Sequence, residues 1–174
     1  MSMELFAGQH LSVFYNEQDA KRSRRTHLEF IIAILTWIAA IDAFQHWLYE
    51  NSSHTRDERK DAWLRIHTRF GGQLIDWSGL QIQHEYRWHQ QLHIFQCPFY
   101  FIEYGIAQLG ALGLWLQSKQ DSCSTLVNYR KALALGGSRS LPELFATAGL
   151  KFDFSEKTIA PLVDAVEQEL TQLQ

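Results

Sequence analysis

The chain has 174 residues, of which 46% are hydrophobic and 20% are charged, and its formal net charge at pH 7 is −3. This length suits one domain with a sizeable core, and the small negative charge provides no basic field that would attract nucleic acid. The two cysteines, Cys97 and Cys123, fit no metal spacing and no disulfide framework, which favours a reduced, cytoplasmic protein. We therefore expect a single domain over residues 1–174 and no nucleic-acid partner.

The first long segment is predicted to be a core helix. The start of the chain carries Glu4 and no basic region, so no signal peptide is expected. Asn16 can cap a helix from about Glu17 to Tyr49. Its uncharged apolar run, residues 30–41, is shorter than the roughly 20 residues that span a bilayer, so no membrane partner is expected. The apolar positions that recur at helical spacing are Leu28, Ile31, Ile32, Leu35 and Ala39.

The next two helices follow clear start signals. Thr55 and Glu58 form a capping box for a helix that continues to Phe70 and ends at Gly71 and Gly72. A further helix is predicted from about Leu80 to Phe95. The expected buried face of the Thr55 helix consists of Trp63, Leu64, Ile66, His67 and Phe70.

Pro98 is expected to open a helix that runs to Lys119, because its missing N–H costs nothing in the first turn. This helix carries a single charge, Glu103, between residues 99 and 116, so we expect it to be buried nearly all round. Glycines inside a helix usually mark the close approach of another backbone. The three glycines in this helix are Gly105, Gly110 and Gly113.

The last third of the chain is also predicted to be helical. Asp121 starts a helix that ends at Gly136 and Gly137, Ser140 with Glu143 starts a short one, and Ser155 caps a terminal one. No alternating strand pattern exceeds four residues. The sequence therefore predicts an all-α class, a compact array of about six helices.

Tyr100 and Tyr104 are the first candidate functional residues. They are four residues apart on one helix face, with Glu103 beside them. A buried tyrosine needs a partner for its hydroxyl, so the alternative interpretation is that each one bonds a backbone carbonyl in the core.

Two further patterns of polar residues could support chemistry. Glu85, His89 and His93 recur every four residues and could present three metal ligands on one helix face. Asp42 and His46 form another such pair, in which a buried carboxylate would orient the imidazole and favour its charged form. The alternative for this pair is a structural hydrogen bond at a helix end. The sequence contains no H-E-x-x-H, no G-x-S-x-G and no phosphate-binding glycine loop, so no complete active site is predicted.

Residues 93–115, HIFQCPFYFIEYGIAQLGALGLW, resemble the C-terminal part of the oligoendopeptidase F group, zinc metallopeptidases related to thimet oligopeptidase. In that family a histidine precedes an aromatic-rich helix with a sequence similar to PFYYIDYALAQ. Further segments resemble the family in the same order, so the resemblance covers essentially the whole chain. They are SMELF at 2–6, IAAIDAFQHWLY at 38–49, FGGQLIDWSGL at 70–80 and FDFSEKTI at 152–159.

The resemblance implies a zinc enzyme whose metal-binding part is not in this sequence. The family holds zinc with H-E-x-x-H and a glutamate in a downstream A-E-V-A-S segment, and neither motif is present. Glu4 resembles a later glutamate of that segment, which in the family has a supporting or structural role and does not bind zinc. We therefore expect zinc in the full-length family enzyme and none bound by this chain alone.

The resemblance also gives His93, Tyr100 and Tyr104 a role. In the family, a histidine and tyrosines from this region hold the peptide and donate hydrogen bonds to the tetrahedral intermediate that forms when zinc-bound water attacks the scissile carbonyl. Phe101 stands where relatives often have a second consecutive tyrosine. The expected substrate-binding or supporting residues are Glu4, Asp42, His46 and Glu103.

Two functions remain open on this basis. The first is the substrate-binding and transition-state-stabilising C-terminal part of an oligoendopeptidase F-like zinc metalloendopeptidase that hydrolyses short peptides. This part would be inactive alone, and its partners would be the peptide and a missing N-terminal half. The alternative is a non-catalytic helical interaction module derived from such a peptidase, which binds a partner chain through an exposed apolar groove.

Overall fold

The computed structural model describes residues 1–173 as helices joined by turns, without a β-strand among these residues. The all-α prediction is therefore confirmed, although the described residues form nine α-helices rather than about six. Three short 3-10 segments, Gly8–Val13, Gly72–Leu74 and Arg87–Gln90, lie between them. The α-helices are α1 (Ser2–Ala7), α2 (Glu17–Glu50), α3 (Arg56–Arg69), α4 (Gln81–Glu85), α5 (His93–Gln96), α6 (Ile102–Ser118), α7 (Ser122–Ala134), α8 (Leu141–Thr147) and α9 (Glu156–Gln172).

Most of the predicted helix starts are confirmed by capping hydrogen bonds. The Asn16 side chain accepts a bond of 2.9 Å at the start of α2. Thr55 and Glu58 form both bonds of the predicted capping box at the start of α3. Asp121 caps α7, and Ser140 begins α8 with the predicted box. These contacts join residues three apart, which is why local sequence predicts them.

The start of α9 differs from the prediction in its chemistry. Ser155 occupies the N-cap position, but its side chain makes no capping bond and its hydroxyl donates to Asp153 at 2.8 Å. The hydroxyl of Thr158 donates to the same carboxylate at 2.5 Å. These hydrogen bonds, that of Thr158 above all, lower the pKa of Asp153. The carboxylate of Asp153 therefore organises this turn in place of the Ser155 hydroxyl.

The predicted helix from Leu80 to Phe95 is wrong as a continuous element. The structure divides it into α4, the 3-10 segment Arg87–Gln90 and α5. The indole N–H of Trp63 donates to the carbonyl of His84 at 2.8 Å. In a continuous α-helix that carbonyl would accept the N–H of Trp88. A tertiary hydrogen bond from α3 is thus present at the point where the predicted helix stops.

Pro98 does not open the next helix, because α6 begins only at Ile102. Phe99 has a φ of 61°, in the left-handed region that non-glycine residues rarely adopt, at a cost of roughly 1 kcal/mol or more. Its ring lies 4.9 Å from that of His46 and 5.0 Å from that of Tyr49, measured between ring centres. These contacts with the end of α2 offset the cost of the turn.

Helix α6 is buried over only part of its length. Glu103, Tyr104 and Ala107 are exposed, so the prediction of burial nearly all round is wrong for the first turns. A β-carbon added at Gly110 would lie 3.0 Å from the Phe145 ring, and one at Gly113 would lie 2.8 Å from Leu150. The missing side chains of these two glycines therefore leave room for the side chains of Phe145 and Leu150 rather than for another backbone.

The chain divides into two compact units, which we call unit 1 and unit 2. Unit 1 contains residues 1–31 and the described residues from 106 onward, and unit 2 contains residues 32–105. The expectation of a single domain over residues 1–174 stays a prediction. The core of unit 2 consists of Ile38, Ile41, Phe44, Ala62, Trp63, Trp88, Ile94 and Phe101. One core cluster of unit 1 consists of Leu114, Ala132 and Ala148, with Phe6, Tyr129 and Leu150 packed against it.

Helix α2 as a whole is long and apolar enough to cross a membrane by length and composition alone. Core helices of folded proteins meet the same criteria of length and composition. Ile38, Ile41 and Phe44 of this helix are at most 2% exposed in the structure. About a third of the apolar window is buried, so the prediction of a core helix holds for this buried face and not for exposed positions such as Phe30.

Candidate functional site

His93, Tyr100 and Tyr104 lie together in unit 2, and we call these three residues the His93 cluster. The ring of His93 is parallel to that of Tyr100, with 5.9 Å between ring centres, and nearly perpendicular to that of Tyr104 at 5.7 Å. The two tyrosine rings are 5.8 Å apart. The turn at Cys97–Phe101 and the start of α6 thus bring three hydrogen-bonding side chains within one small volume.

The two tyrosines of the His93 cluster are not core residues. Tyr100 is 50% exposed and Tyr104 is 37% exposed, while His93 is half-buried. In the described part of the chain, no group forms a hydrogen bond with either hydroxyl. The alternative of core tyrosines bonded to backbone carbonyls is therefore wrong, and both hydroxyls are available to a ligand.

Phe101 has a supporting position beneath the His93 cluster. It is only 7% exposed, and its ring centre lies 5.0 Å from that of His93 and 5.5 Å from that of Tyr104. An apolar ring in this place fixes the cluster through packing and donates no hydrogen bond. Phe101 therefore belongs to the core rather than to the set of donors.

A hydrogen-bonded chain behind His93 was not predicted from the sequence. The Nδ1 atom of His93 lies 2.6 Å from the amide nitrogen of Gln91. The amide oxygen of Gln91 accepts the indole N–H of Trp37 at 3.0 Å. The only local signal was the position of Gln91 two residues before His93, and nothing in the sequence links either residue to Trp37 on α2.

Asp42 and His46 form a partly exposed pair, since the Asp42 side chain is 23% exposed. The His46 Nε2 atom lies 3.7 Å from a carboxylate oxygen of Asp42, and the His46 side chain is 60% exposed. The carboxylate is thus only partly buried, and the supporting role of this pair stays a prediction. The pair is connected to the turn before α6 through the contact of His46 with Phe99.

The two predicted glutamates, Glu103 and Glu4, belong to different units of the chain. Glu103 is exposed in the first turn of α6. Glu4 lies on α1 in unit 1, where its carboxylate is 2.6 Å from the amino group of Met1 and 3.8 Å from the Nε2 atom of His27. The hydrogen bond from the Met1 amino group lowers the pKa of Glu4.

The metal-site hypothesis for Glu85, His89 and His93 is wrong. These residues lie on three separate short segments rather than on one helix face. The ring of His89 packs edge-on against that of Trp88 at 4.0 Å between centres. Residues 1–173 contain no group of three or more histidine, cysteine, aspartate or glutamate side chains that could share a metal ion. The described residues therefore do not fit the zinc site that the resemblance implies for the whole enzyme.

A second pair of histidines lies inside unit 2. The Nδ1 atom of His67 is 2.9 Å from the Nε2 atom of His84, and His67 is only 5% exposed. Burial lowers the pKa of His67 to about 4, with further contributions from the neighbouring His84 and Arg87. Burial also lowers the pKa of His84. These groups stabilise the core in their neutral forms and are surrounded by tryptophan rings.

Solved structures similar to this chain come from peptidases. A protein assigned as an oligoendopeptidase F shares 33% sequence identity, with a TM-score of 0.87 over 98% of this chain and 30% of its own. PZ peptidase A, solved with an inhibitor, shares 30% identity with a TM-score of 0.88 over the same shares. An assigned oligoendopeptidase F from Bacillus anthracis shares 28% identity, with a TM-score of 0.72 over 98% of this chain and 27% of its own.

This chain thus spans less than a third of the length of each of these structures. A search of curated protein sequences gave no significant match. The sequence model of peptidase family M3 matches residues 1–163. Together with the motif around His93, this match shows that the chain belongs to peptidase family M3, as a fragment similar to part of oligoendopeptidase F.

Proposed function

We propose that this chain is the substrate-binding and transition-state-stabilising C-terminal part of an oligoendopeptidase F-like metalloendopeptidase that hydrolyses short peptides. The observation that supports this most strongly is the accessible His93 cluster, which groups three hydrogen-bonding side chains in the family's aromatic motif. The two cysteines are free and exposed, which agrees with a cytoplasmic setting.

In this proposal, the chain acts on the peptide through hydrogen bonds alone. The hydroxyls of Tyr100 and Tyr104 and a ring N–H of His93 bind carbonyl oxygens of the peptide backbone. These bonds strengthen as negative charge develops on the reacting oxygen, and one such donor is worth about 3 kcal/mol in the transition state. Phe101 and the turn around Phe99 hold the donors in place before the substrate binds. Zinc would be bound by polypeptide other than the residues described.

The test is a chimera in which this chain replaces the matching segment of the oligoendopeptidase F neighbour. We expect the chimera to cleave a quenched fluorescent peptide, and Tyr100→Phe or Tyr104→Phe to lower kcat/KM about 100-fold. Tyr86→Phe is the matched control, since Tyr86 is 46% exposed and contacts only the His89 ring among the described aromatic contacts. Full activity of both tyrosine variants in the His93 cluster would contradict the proposal.

The isolated 174-residue chain provides a complementary measurement. We expect it to bind no stoichiometric zinc and to cleave no peptide, because the described residues hold no cluster of three metal ligands. Metal analysis of the purified chain and a peptide-cleavage assay check this. Chelator-sensitive cleavage by the chain alone would show that it contains a complete active site.

One observation favours the second candidate, a non-catalytic interaction module. Unit 1 has an open apolar groove of about 600 Å³. Such a groove suits an apolar segment of a partner chain. An inactive chimera together with association of the isolated chain on size-exclusion chromatography would favour this module over the peptidase part, whereas a well-behaved monomer would count against a large exposed apolar groove. The groove is lined in part by Met1, Met3, Leu114, Leu133, Leu144 and Phe145.

A further inference from the structure

We infer that Gln91 holds His93 in the tautomer that carries its proton on Nε2, so that His93 presents an N–H donor to a bound ligand. Gln91 is thus a positioning residue that acts through His93. The value of this donor for catalysis depends on the proposed function, whereas the tautomer itself depends only on the contacts of Gln91.

The argument begins at Trp37, whose indole N–H can only donate. The group of Gln91 that lies 3.0 Å from it must therefore be the amide oxygen. This fixes the orientation of an amide whose oxygen and nitrogen are otherwise easily exchanged. Trp37 is itself held in place, with its ring packed edge-on against Trp63 at 5.8 Å and beneath the guanidinium of Arg87 at 5.2 Å.

The amide nitrogen of Gln91 then points to His93, at 2.6 Å from Nδ1. An amide NH₂ group can only donate, so Nδ1 must be the acceptor. In a neutral imidazole the proton then resides on Nε2. The chain of bonds runs in one direction, from Trp37 to Gln91 to His93, and within residues 1–173 the Nε2–H group of the ring has no hydrogen-bond partner.

The opposite tautomer would remove this donor. With the proton on Nδ1, two donors would face each other between Gln91 and His93, and Nε2 would present a lone pair. A lone pair repels the negative oxygen that the His93 cluster is proposed to stabilise. Because the His93 ring contacts both Tyr100 and Tyr104, the state of Nε2 determines whether the three side chains act as donors together.

Gln91→Glu tests this because it changes hydrogen-bond direction with little change in shape. A carboxylate accepts from Trp37 as before but cannot donate to His93. We therefore expect Nδ1 of His93 to gain the proton in this variant. The matched control is Gln90→Glu, which places the same charge on the neighbouring, exposed residue.

The measurement is ¹⁵N NMR of the histidine rings in the labelled 174-residue chain at mildly alkaline pH, with His93 assigned from the signals lost in His93→Gln. We expect a protonated Nε2 and an unprotonated Nδ1 in the wild type and in Gln90→Glu, and a protonated Nδ1 in Gln91→Glu. A wild-type ring protonated on Nδ1, or a Gln91→Glu ring that keeps the wild-type pattern, would overturn the inference.

Trp37→Phe provides a second test if circular dichroism shows that Gln91→Glu fails to fold. Without the indole donor the Gln91 amide can turn, so we expect both tautomers of His93 to be populated. An unchanged, pure Nε2–H signal in this variant would contradict the role of Trp37 as the group that orients the amide.

The activity of the chimera separates this inference from the proposed function. We expect Gln91→Glu to lower kcat at least 10-fold with little change in KM, and Gln90→Glu to change neither. If His93→Gln leaves cleavage intact, the proposed function fails while the NMR result still decides the tautomer. If His93→Gln abolishes cleavage but Gln91→Glu keeps the wild-type tautomer, only the role of Gln91 fails.

Discussion

His67 and His93 lie in the same unit but in different surroundings. His93 is half-buried, its Nδ1 faces an amide donor, and its ring contacts exposed tyrosines. His67 is 5% exposed and stacks on the ring of Trp63 at 5.0 Å. In the sequence each of these histidines has an isoleucine beside it and a phenylalanine two or three residues later, so their different roles depend on neighbours that the fold supplies.

His67 should make the stability of the protein depend on pH. Its pKa is lowered from 6.5 to about 4, chiefly by burial, so the unfolded chain binds a proton that the folded chain excludes. The free energy of unfolding should therefore fall as pH decreases from about 6.5 to about 4, by up to about 3 kcal/mol. Urea unfolding at a series of pH values measures this change.

His67→Gln keeps a hydrogen-bonding side chain and should flatten the dependence in that pH range, although it lowers stability overall. His10→Gln, at an exposed position, should leave the wild-type slope intact. Parallel pH curves for the wild type and His67→Gln would show that His67 is not the group responsible.

At the scale of elements, the helix starts were predictable and the break before α5 was not. Thr55, Asp121 and Ser140 act on residues within the next turn, so their sequence context contains the information. The division of residues 81–96 coincides with a hydrogen bond from the indole of Trp63, which lies 21 residues before the His84 carbonyl that it binds. The spacing of apolar residues in 80–95 does not predict that contact.

The end of α3 provides a prediction for stability. A β-carbon at Gly72 would lie 2.4 Å from the ring nitrogen Nδ1 of His67 and 2.7 Å from its backbone oxygen. Gly72→Ala should therefore destabilise the protein by about 1–3 kcal/mol, since the backbone and the buried ring must both move. Urea unfolding measures the difference, with Gly137→Ala as control because no atom lies within 4 Å of its added β-carbon. Equal stability of the two variants would contradict this account.

At the scale of the whole molecule, nearly all of this chain aligns with peptidase structures. It covers less than a third of the length of each of them. Within unit 1, Glu169 of α9 joins segments that are far apart in sequence. Its carboxylate is paired with the guanidinium of Arg24 on α2. The same carboxylate lies 2.5 Å from the ammonium of Lys119, just after α6. The Lys119 ammonium also lies 4.2 Å from the centre of the Trp115 ring. One buried acid thus ties three segments of this unit together.

Removing the negative charge of Glu169 tests how much the stability of the chain depends on this carboxylate. Glu169 is 6% exposed, and Glu169→Gln leaves two cations without their anion. We expect a loss of about 3 kcal/mol, near the lower end for broken buried pairs because both cations are partly exposed. The midpoint of urea unfolding measures the loss. The control is Glu167→Gln, at an exposed position of the same helix, which should change the unfolding midpoint little. Similar midpoints for the two variants would count against the central role of Glu169.

The sequence by itself determined the all-α class, most helix starts and the family, because caps and the His93 motif depend on residues close together in the chain. It also predicted that His93, Tyr100 and Tyr104 belong together. Only the tertiary structure decided that both tyrosines are exposed and that the Gln91 amide orients His93. The physical reason is that burial and hydrogen-bond direction depend on partners from distant segments, such as Trp37, which lies 54 residues before Gln91.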